Sequence, residues 1–211
     1  MKKLLMGLWI TALLFGCSKA EEPVPQETEP AQTETVSEEG GTLVIWFSCT
    51  GEQYRVGVIE EGNTAIIAGM IMDETGADGF EIIPEEEYPV TYDELTDVAR
   101  KEQNDQARPA YKGELPDLDG YSTIFVGAPV WWGDWPMIMY TVFENNDFSG
   151  KRLIPFSTHE GSGLSGFDRK LADAVPDAQI GEGLAVQGSE AQNDRTQVLE
   201  DVRTWLNTLG Y

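Results

Sequence analysis

The sequence predicts an α/β domain: an open parallel sheet with helices on both faces. Three observations carry that prediction. Residues 43–47, Leu-Val-Ile-Trp-Phe, form an unbroken apolar run of strand length, β-branched and aromatic, as in a strand covered on both faces. Ser122-Thr-Ile-Phe-Val-Gly127 has the composition of another central strand. Strand-like and helix-like segments alternate from residue 42 onward, giving five βα units, and such alternation packs as helices on a parallel sheet.

Each element has a local reason. Asn63-Thr64 can cap a helix whose apolar residues are Ile66, Ile67, Met70 and Ile71, and Gly76 can stop it. Phe80-Glu-Ile-Ile83 reads as a short strand. Thr91-Tyr-Asp-Glu94 is a capping box, opening a charged helix that runs to about Gln106. Asp134-Trp-Pro136 is expected to cap and start a helix carrying Met137, Ile138, Val142 and Phe143. Arg152-Leu-Ile-Pro-Phe156 is the fourth strand; Pro155 has no N–H for a ladder and is expected late in it. Residues 164–175 fit a helix with Leu164, Phe167, Leu171 and Ala172 inward. Leu184-Ala-Val186 belongs to a fifth strand. Val198, Leu199, Val202, Trp205, Leu206 and Leu209 give the last helix the clearest helical period.

Upstream of residue 42 the composition changes. Lys2 and Lys3 precede a short apolar stretch, residues 4–15, too short for a comfortable membrane span. Leu14-Phe-Gly-Cys17 resembles a bacterial lipobox, so residues 1–17 are expected to be a lipoprotein signal with Cys17 lipidated. Residues 18–41, rich in Glu, Pro and Thr, are expected to be an extended disordered tether, because they cannot bury enough apolar surface to offset chain entropy. Residues 42–211 are the size of one domain. The expected location is extracytoplasmic, on the outer face of the cell membrane.

Charge excludes several functions. The chain has 14 basic and 37 acidic residues, a net charge of −23. Nucleic acid and anionic lipid heads both require basic patches, so contact with a membrane is expected through the lipid alone. A partner protein with a basic face would be steered in. Cys49 is then the one cysteine of the domain, expected as a small buried hydrophobe, and no Cys/His cluster suits zinc.

Three loops leave the carboxyl ends of the strands, where ligands of such sheets bind. Ser48-Cys-Thr-Gly51 offers hydroxyls and amides before a helix start, and reads either as a phosphate cradle or as an ordinary βα turn. Ala128-Pro-Val-Trp-Trp-Gly133 reads either as an aromatic shelf for a ligand or as a plug for the end of the sheet. Ser157-Thr-His-Glu-Gly-Ser-Gly163 carries the single histidine.

Together these loops resemble those of the flavodoxin family, in particular its exported lipoprotein-type branch in Gram-positive bacteria. The matching segments are Phe47-Ser-Cys-Thr-Gly51, Tyr88-Pro-Val-Thr-Tyr-Asp-Glu-Leu95, Gly127-Ala-Pro-Val-Trp-Trp-Gly133 and Pro155-Phe-Ser-Thr-His-Glu-Gly-Ser-Gly163. The resemblance implies a five-stranded sheet of order 2-1-3-4-5 and non-covalent FMN. It assigns the FMN phosphate to Ser48, Thr50, Gly51, Asn63 and Thr64. One side of the ring would fall to Pro129, Trp131, Trp132 and Gly133, the other to Thr158, His159, Gly161 and Gly163. Relative to the family pattern, residues 52–62 look inserted, and they are expected to bulge away as a flap that covers the ring or meets a partner.

The resemblance implies an electron-transfer protein that meets a redox partner. The alternative is an FMN-dependent NAD(P)H:quinone or azo oxidoreductase of the same fold; a third reading is a binding module without flavin. Asp134 and Glu160, near the ring loops, would disfavour an anionic reduced flavin. Gly161-Ser-Gly-Leu-Ser-Gly166 has the spacing of a dinucleotide fingerprint but stands in the fourth βα unit rather than the first. No G-x-S-x-G elbow is present for a hydrolase.

Overall fold

The computed structural model describes residues 40–211. The expected signal over residues 1–17, with Cys17, and nearly all of the expected tether lie outside the described residues. In chain order the elements are β1 (Gly41–Trp46), β2 (Gly51–Gln53), β3 (Gly57–Ile59), α1 (Asn63–Thr75), β4 (Asp78–Glu81), α2 (Tyr92–Asp105), β5 (Tyr121–Pro129), α3 (Met137–Asn145), β6 (Arg152–His159), α4 (Phe167–Ala174), β7 (Gln179–Ile180), β8 (Leu184–Gln187), α5 (Gly188–Asn193) and α6 (Arg195–Leu209).

The main sheet runs β4-β1-β5-β6-β7, with β8 also paired to β6, and every pairing in it is parallel. Taking β7 and β8 as one interrupted strand gives the order 2-1-3-4-5. Side chains alternate between two cores, as the pleat requires. Leu43, Ile45 and Phe47 face α3 and α4, packing with Ile138, Val142 and Leu171. Val44, Phe125 and Phe156 face the other way, onto Ile67 and Ile71 of α1 and Val202 and Trp205 of α6. These side chains are almost fully buried. Each such burial is favourable by about 1.5–3 kcal/mol, so register is strongly fixed here.

Several elements depart from expectation. Pro155 lies mid-strand rather than late, paired with Val126 of β5. On its other side the fifth strand breaks: β7 pairs with Arg152 and Leu153, and β8 resumes at Phe156. The missing N–H thus falls opposite the gap, so no ladder bond is lost. Helix α4 begins at Phe167, three residues after the expected start, because Gly163, Ser165 and Gly166 all have positive φ (60°, 52° and 71°) and cannot be helical. The second strand of the sheet is placed two residues earlier than read, at Asp78–Glu81, although Ile82 is buried and still donates to Trp46 O at 2.7 Å. The short helix α5 was not anticipated.

Helix caps also differ. The N-cap of α1 is Gly62, not Asn63 or Thr64; the side-chain cap comes from far along the chain, with Ser48 Oγ accepting from Ala65 N at 3.2 Å. Thr91 is the N-cap of α2 but donates its hydroxyl to the Glu94 carboxylate at 2.6 Å. The N-cap of α3 is Pro136, and Asp134 instead accepts from Trp135 N at 2.8 Å and from the Tyr140 hydroxyl at 3.0 Å. Residues 52–62 do form an excursion, an antiparallel β2–β3 hairpin in register Gly51↔Ile59.

Candidate functional site

A cavity of about 200 Å³ opens where the sheet's carboxyl ends meet the hairpin, the start of α1 and one side of α2. Its apolar lining comes mainly from the turn after β5 and from α2, where Leu95 and Ala99 face inward. Its polar lining comes from the end of β6 and the first residue of α1.

The turn after β5 is set by backbone geometry. Trp131 N donates to Asp134 O at 2.9 Å and Asp134 N to Trp131 O at 3.0 Å. Between them Trp132 and Gly133 have φ of 51° and 75°, the pair of positive values that a tight two-residue loop needs. This splits the tryptophans. Trp131 turns inward, edge-on to Phe47 at 5.3 Å and Tyr88 at 5.1 Å, and also lines the cavity. Trp132 lies outward, 46% exposed, with its Nε1–H donating to Thr96 O at 3.0 Å and the Arg100 guanidinium over its ring. Trp135 is the plug, stacked on Phe167 at 3.7 Å.

The start of α1 has anion-binding character. Ser48 Oγ takes the Ala65 amide and Gly62 O takes that of Ile66. The amides of Asn63 and Thr64 have no partner among the described residues and sit at the positive end of a 13-residue helix. The Thr64 hydroxyl, buried, shares a hydrogen bond of 2.8 Å with that of Thr158, joining this helix start to the end of β6. Glu61, beside the helix start, is paired with Arg195 at 2.8 Å.

At the end of β6, His159 Nδ1 accepts from Gly161 N at 2.9 Å. That bond requires the neutral tautomer with its proton on Nε2, and the residue lines the cavity. Burial lowers the imidazole pKa, opposed by the carboxylates of Glu160 and Glu190. Glu160 also lines the cavity and is held by Ser189 N at 2.7 Å and Ser189 Oγ at 3.1 Å. Beneath the site, Cys49 packs on the core; burial pushes its thiol up to about 12, with Glu102 and Glu81 adding to the effect. It is therefore a neutral thiol at physiological pH. No cluster of His, Cys, Asp or Glu suited to a metal occurs among the described residues.

A family model described as flavodoxin matches residues 42–202. The chain belongs to the flavodoxin family. Among solved structures, this flavodoxin-family chain resembles a protein of Bacteroides uniformis provisionally assigned as a flavoprotein, at 30% identity and TM-score 0.64, covering 80% of this chain and 98% of the other. A second such protein, from Bacteroides eggerthii, matches at 27% identity and TM-score 0.65, covering 81% and 98%. A Lactobacillus acidophilus flavoprotein solved in complex with FMN shares the fold at 18% identity and TM-score 0.56, covering 75% and 99%. A comparison with curated proteins finds no match. No helix among the described residues is long and apolar enough to cross a membrane.

Within this flavodoxin fold, Asn63, Pro129, Trp131, Trp132, Thr158 and His159 of the anticipated residues line the cavity. Ser48 and Thr64 stand one contact behind it, on Ala65 and Thr158. Gly133, Gly161 and Gly163 shape the turns that carry lining residues. Thr50 is exposed, and Gly51 starts β2 against Val90. Gln53 and Tyr54 of the expected flap line the cavity too, whereas Tyr92 and the α2 side chains are additions to the expected set. Asp134 is paired with Lys170 at 3.2 Å and is not part of the lining.

Proposed function

We propose that this domain binds FMN non-covalently and works as an electron-transfer protein, tethered through a lipid on Cys17 to the outer face of the cell membrane. One observation carries the FMN reading: a single cavity reaches from the start of α1, where two amides have no partner among the described residues, to a slot lined by indole, imidazole and tyrosine. That arrangement suits an anionic tail at one end and a flat ring at the other.

When bound, FMN would supply the redox chemistry. The chain's residues do the rest. The amides of Asn63 and Thr64 hold the phosphate, with Ser48 and the Thr64–Thr158 pair fixing the frame around them. Trp131 would give the ring an apolar edge, and His159, neutral with its proton on Nε2, would offer it a hydrogen-bond donor. Glu160 places a carboxylate beside the ring and sets a potential unfavourable to added negative charge. The net charge of −23 supports a partner with a basic face. The lipid tether is supported by Leu14-Phe-Gly-Cys17 and the acidic stretch after it.

The test is titration of the apo domain with FMN, followed by its fluorescence quenching and visible spectrum. Saturable one-to-one quenching is expected, together with slow reduction by NADH. A folded domain that takes up no FMN overturns the reading; fast turnover of NADH would favour the oxidoreductase instead.

A further inference from the structure

The β2–β3 hairpin is anchored at both ends, to different helices. At one end Glu52 N donates to Val90 O at 2.7 Å, and Glu52 Oε2 accepts from the amide of Tyr92, the first residue of α2, at 3.0 Å. A carboxylate there meets the positive end of the helix. Tyr54 stacks on Tyr92, with centroids 5.7 Å apart and an interplanar angle of 28°. At the other end Arg195 of α6 holds the Glu61 carboxylate at 2.8 Å, and Gln192 of α5 donates to Glu61 O at 2.8 Å. The excursion is thus a fixed wall, and Gln53 and Tyr54 of it line the ring cavity.

We propose that this hairpin determines which redox partners the site accepts: the Tyr54–Tyr92 stack fills the flank by which a second planar ring would enter, so small quinones and nicotinamides are rejected and a protein partner is served. The proposal rests on FMN occupying the cavity. The two classes of partner make different demands. Transfer of hydride, or of an electron pair with protons, needs reacting atoms about 3–3.5 Å apart, hence ring on ring. Single-electron transfer to a redox protein needs only the approach of an edge.

The experiment follows reoxidation of the FMN-loaded, dithionite-reduced protein by a soluble naphthoquinone. Two electrons and two protons leave the reduced flavin, and the quinone becomes the hydroquinone. Tyr54→Ala removes the ring; a second variant replaces residues 53–58 with Gly-Gly. Ferricyanide, which takes one electron at a time without stacking, serves as the control. Both variants are expected to raise the ratio of the quinone rate to the ferricyanide rate at least tenfold over that of the unaltered protein. Quinone rates within twofold of the unaltered protein overturn the proposal, as does an equal rise with ferricyanide. If both variants lose FMN while the unaltered protein keeps it, the hairpin is a cofactor clamp and the selectivity claim falls. Unaltered protein that binds no FMN would sink the cofactor reading itself, and this inference with it.

Discussion

Ser48 Oγ accepts the amide of Ala65 at 3.2 Å, and this bond joins the end of β1 to the start of α1. It leaves Gly62 no room. A Cβ on Gly62 would stand 2.1 Å from that oxygen and 2.7 Å from Cys49 O. The φ of Gly62 is −69°, open to any residue, so the glycine is required by space alone. Gly62→Ala should displace Ser48, strip a cap from α1 and turn the free amides away from the phosphate. A loss of about 1–3 kcal/mol in stability is expected from overpacking, with FMN affinity falling at least about tenfold, near 1.4 kcal/mol. Urea unfolding and FMN titration measure the two effects; unchanged affinity would remove the phosphate from this helix.

The Arg100 guanidinium lies 3.3 Å from the centre of the Trp132 ring, and Thr96 O holds the indole N–H. Both contacts are on α2, so they tie the β5 turn to that helix. Trp132 has positive φ, which a bulky residue adopts only when held. A double-mutant cycle of Arg100→Ala and Trp132→Leu should give a coupling of about 0.5–1 kcal/mol, as for a partly exposed cation over indole. A coupling near zero would mean that the stack contributes nothing in solution.

The sheet could be read from the chain because its strands are buried on both faces, so 43–47 and 122–127 look like nothing but central strands. The site was half readable. Pro129 and His159 are the last residues of β5 and β6 and Trp131 stands in the turn after β5, at the carboxyl ends of the strands, where position announces function. The hairpin is legible as an inserted flap but not as a pair of strands, since two three-residue strands carry too little pattern to register. Leu95 and Ala99 look like the ordinary buried face of an amphipathic helix, and only the packing of α2 shows that this face also lines a cavity. Asp134 resembles a helix cap by spacing. The positive-φ turn at Trp132 and Gly133 instead turns its carboxylate onto Trp135 N and Lys170.

That pairing separates the two acids once grouped as ring-side charges. Lys170, which also donates to Gly133 O, offsets the charge of Asp134, whereas Glu160 lines the cavity with no basic partner among the described residues. Glu160→Gln should therefore raise the FMN midpoint potential, on the order of tens of millivolts for one charge removed near the ring. The double variant Asp134→Asn with Lys170→Met, which removes a neutral pair, should leave it nearly unchanged. Spectroelectrochemical titration at low and high salt measures both. A larger shift for the double variant would reverse the assignment.

His159 accepts from Gly161 N through Nδ1, so protonation of that nitrogen would set two donors against each other. Burial already lowers its pKa below the ordinary 6.5, although Glu160 and Glu190 pull the other way. A depressed pKa in the folded state means that the unfolded chain binds the proton first as pH falls. Stability from this residue is therefore whole above about 6.5 and is lost as pH drops from there towards the folded value. Denaturation midpoints at pH 8, 7, 6 and 5 should decline more steeply in the unaltered domain than in His159→Gln, whose amide carries no such proton. The Gly161 amide resonance should move over the same range in the unaltered domain. Parallel declines would mean that the folded imidazole takes up its proton as readily as the unfolded one, so that neither burial nor the bond to Gly161 depresses its pKa.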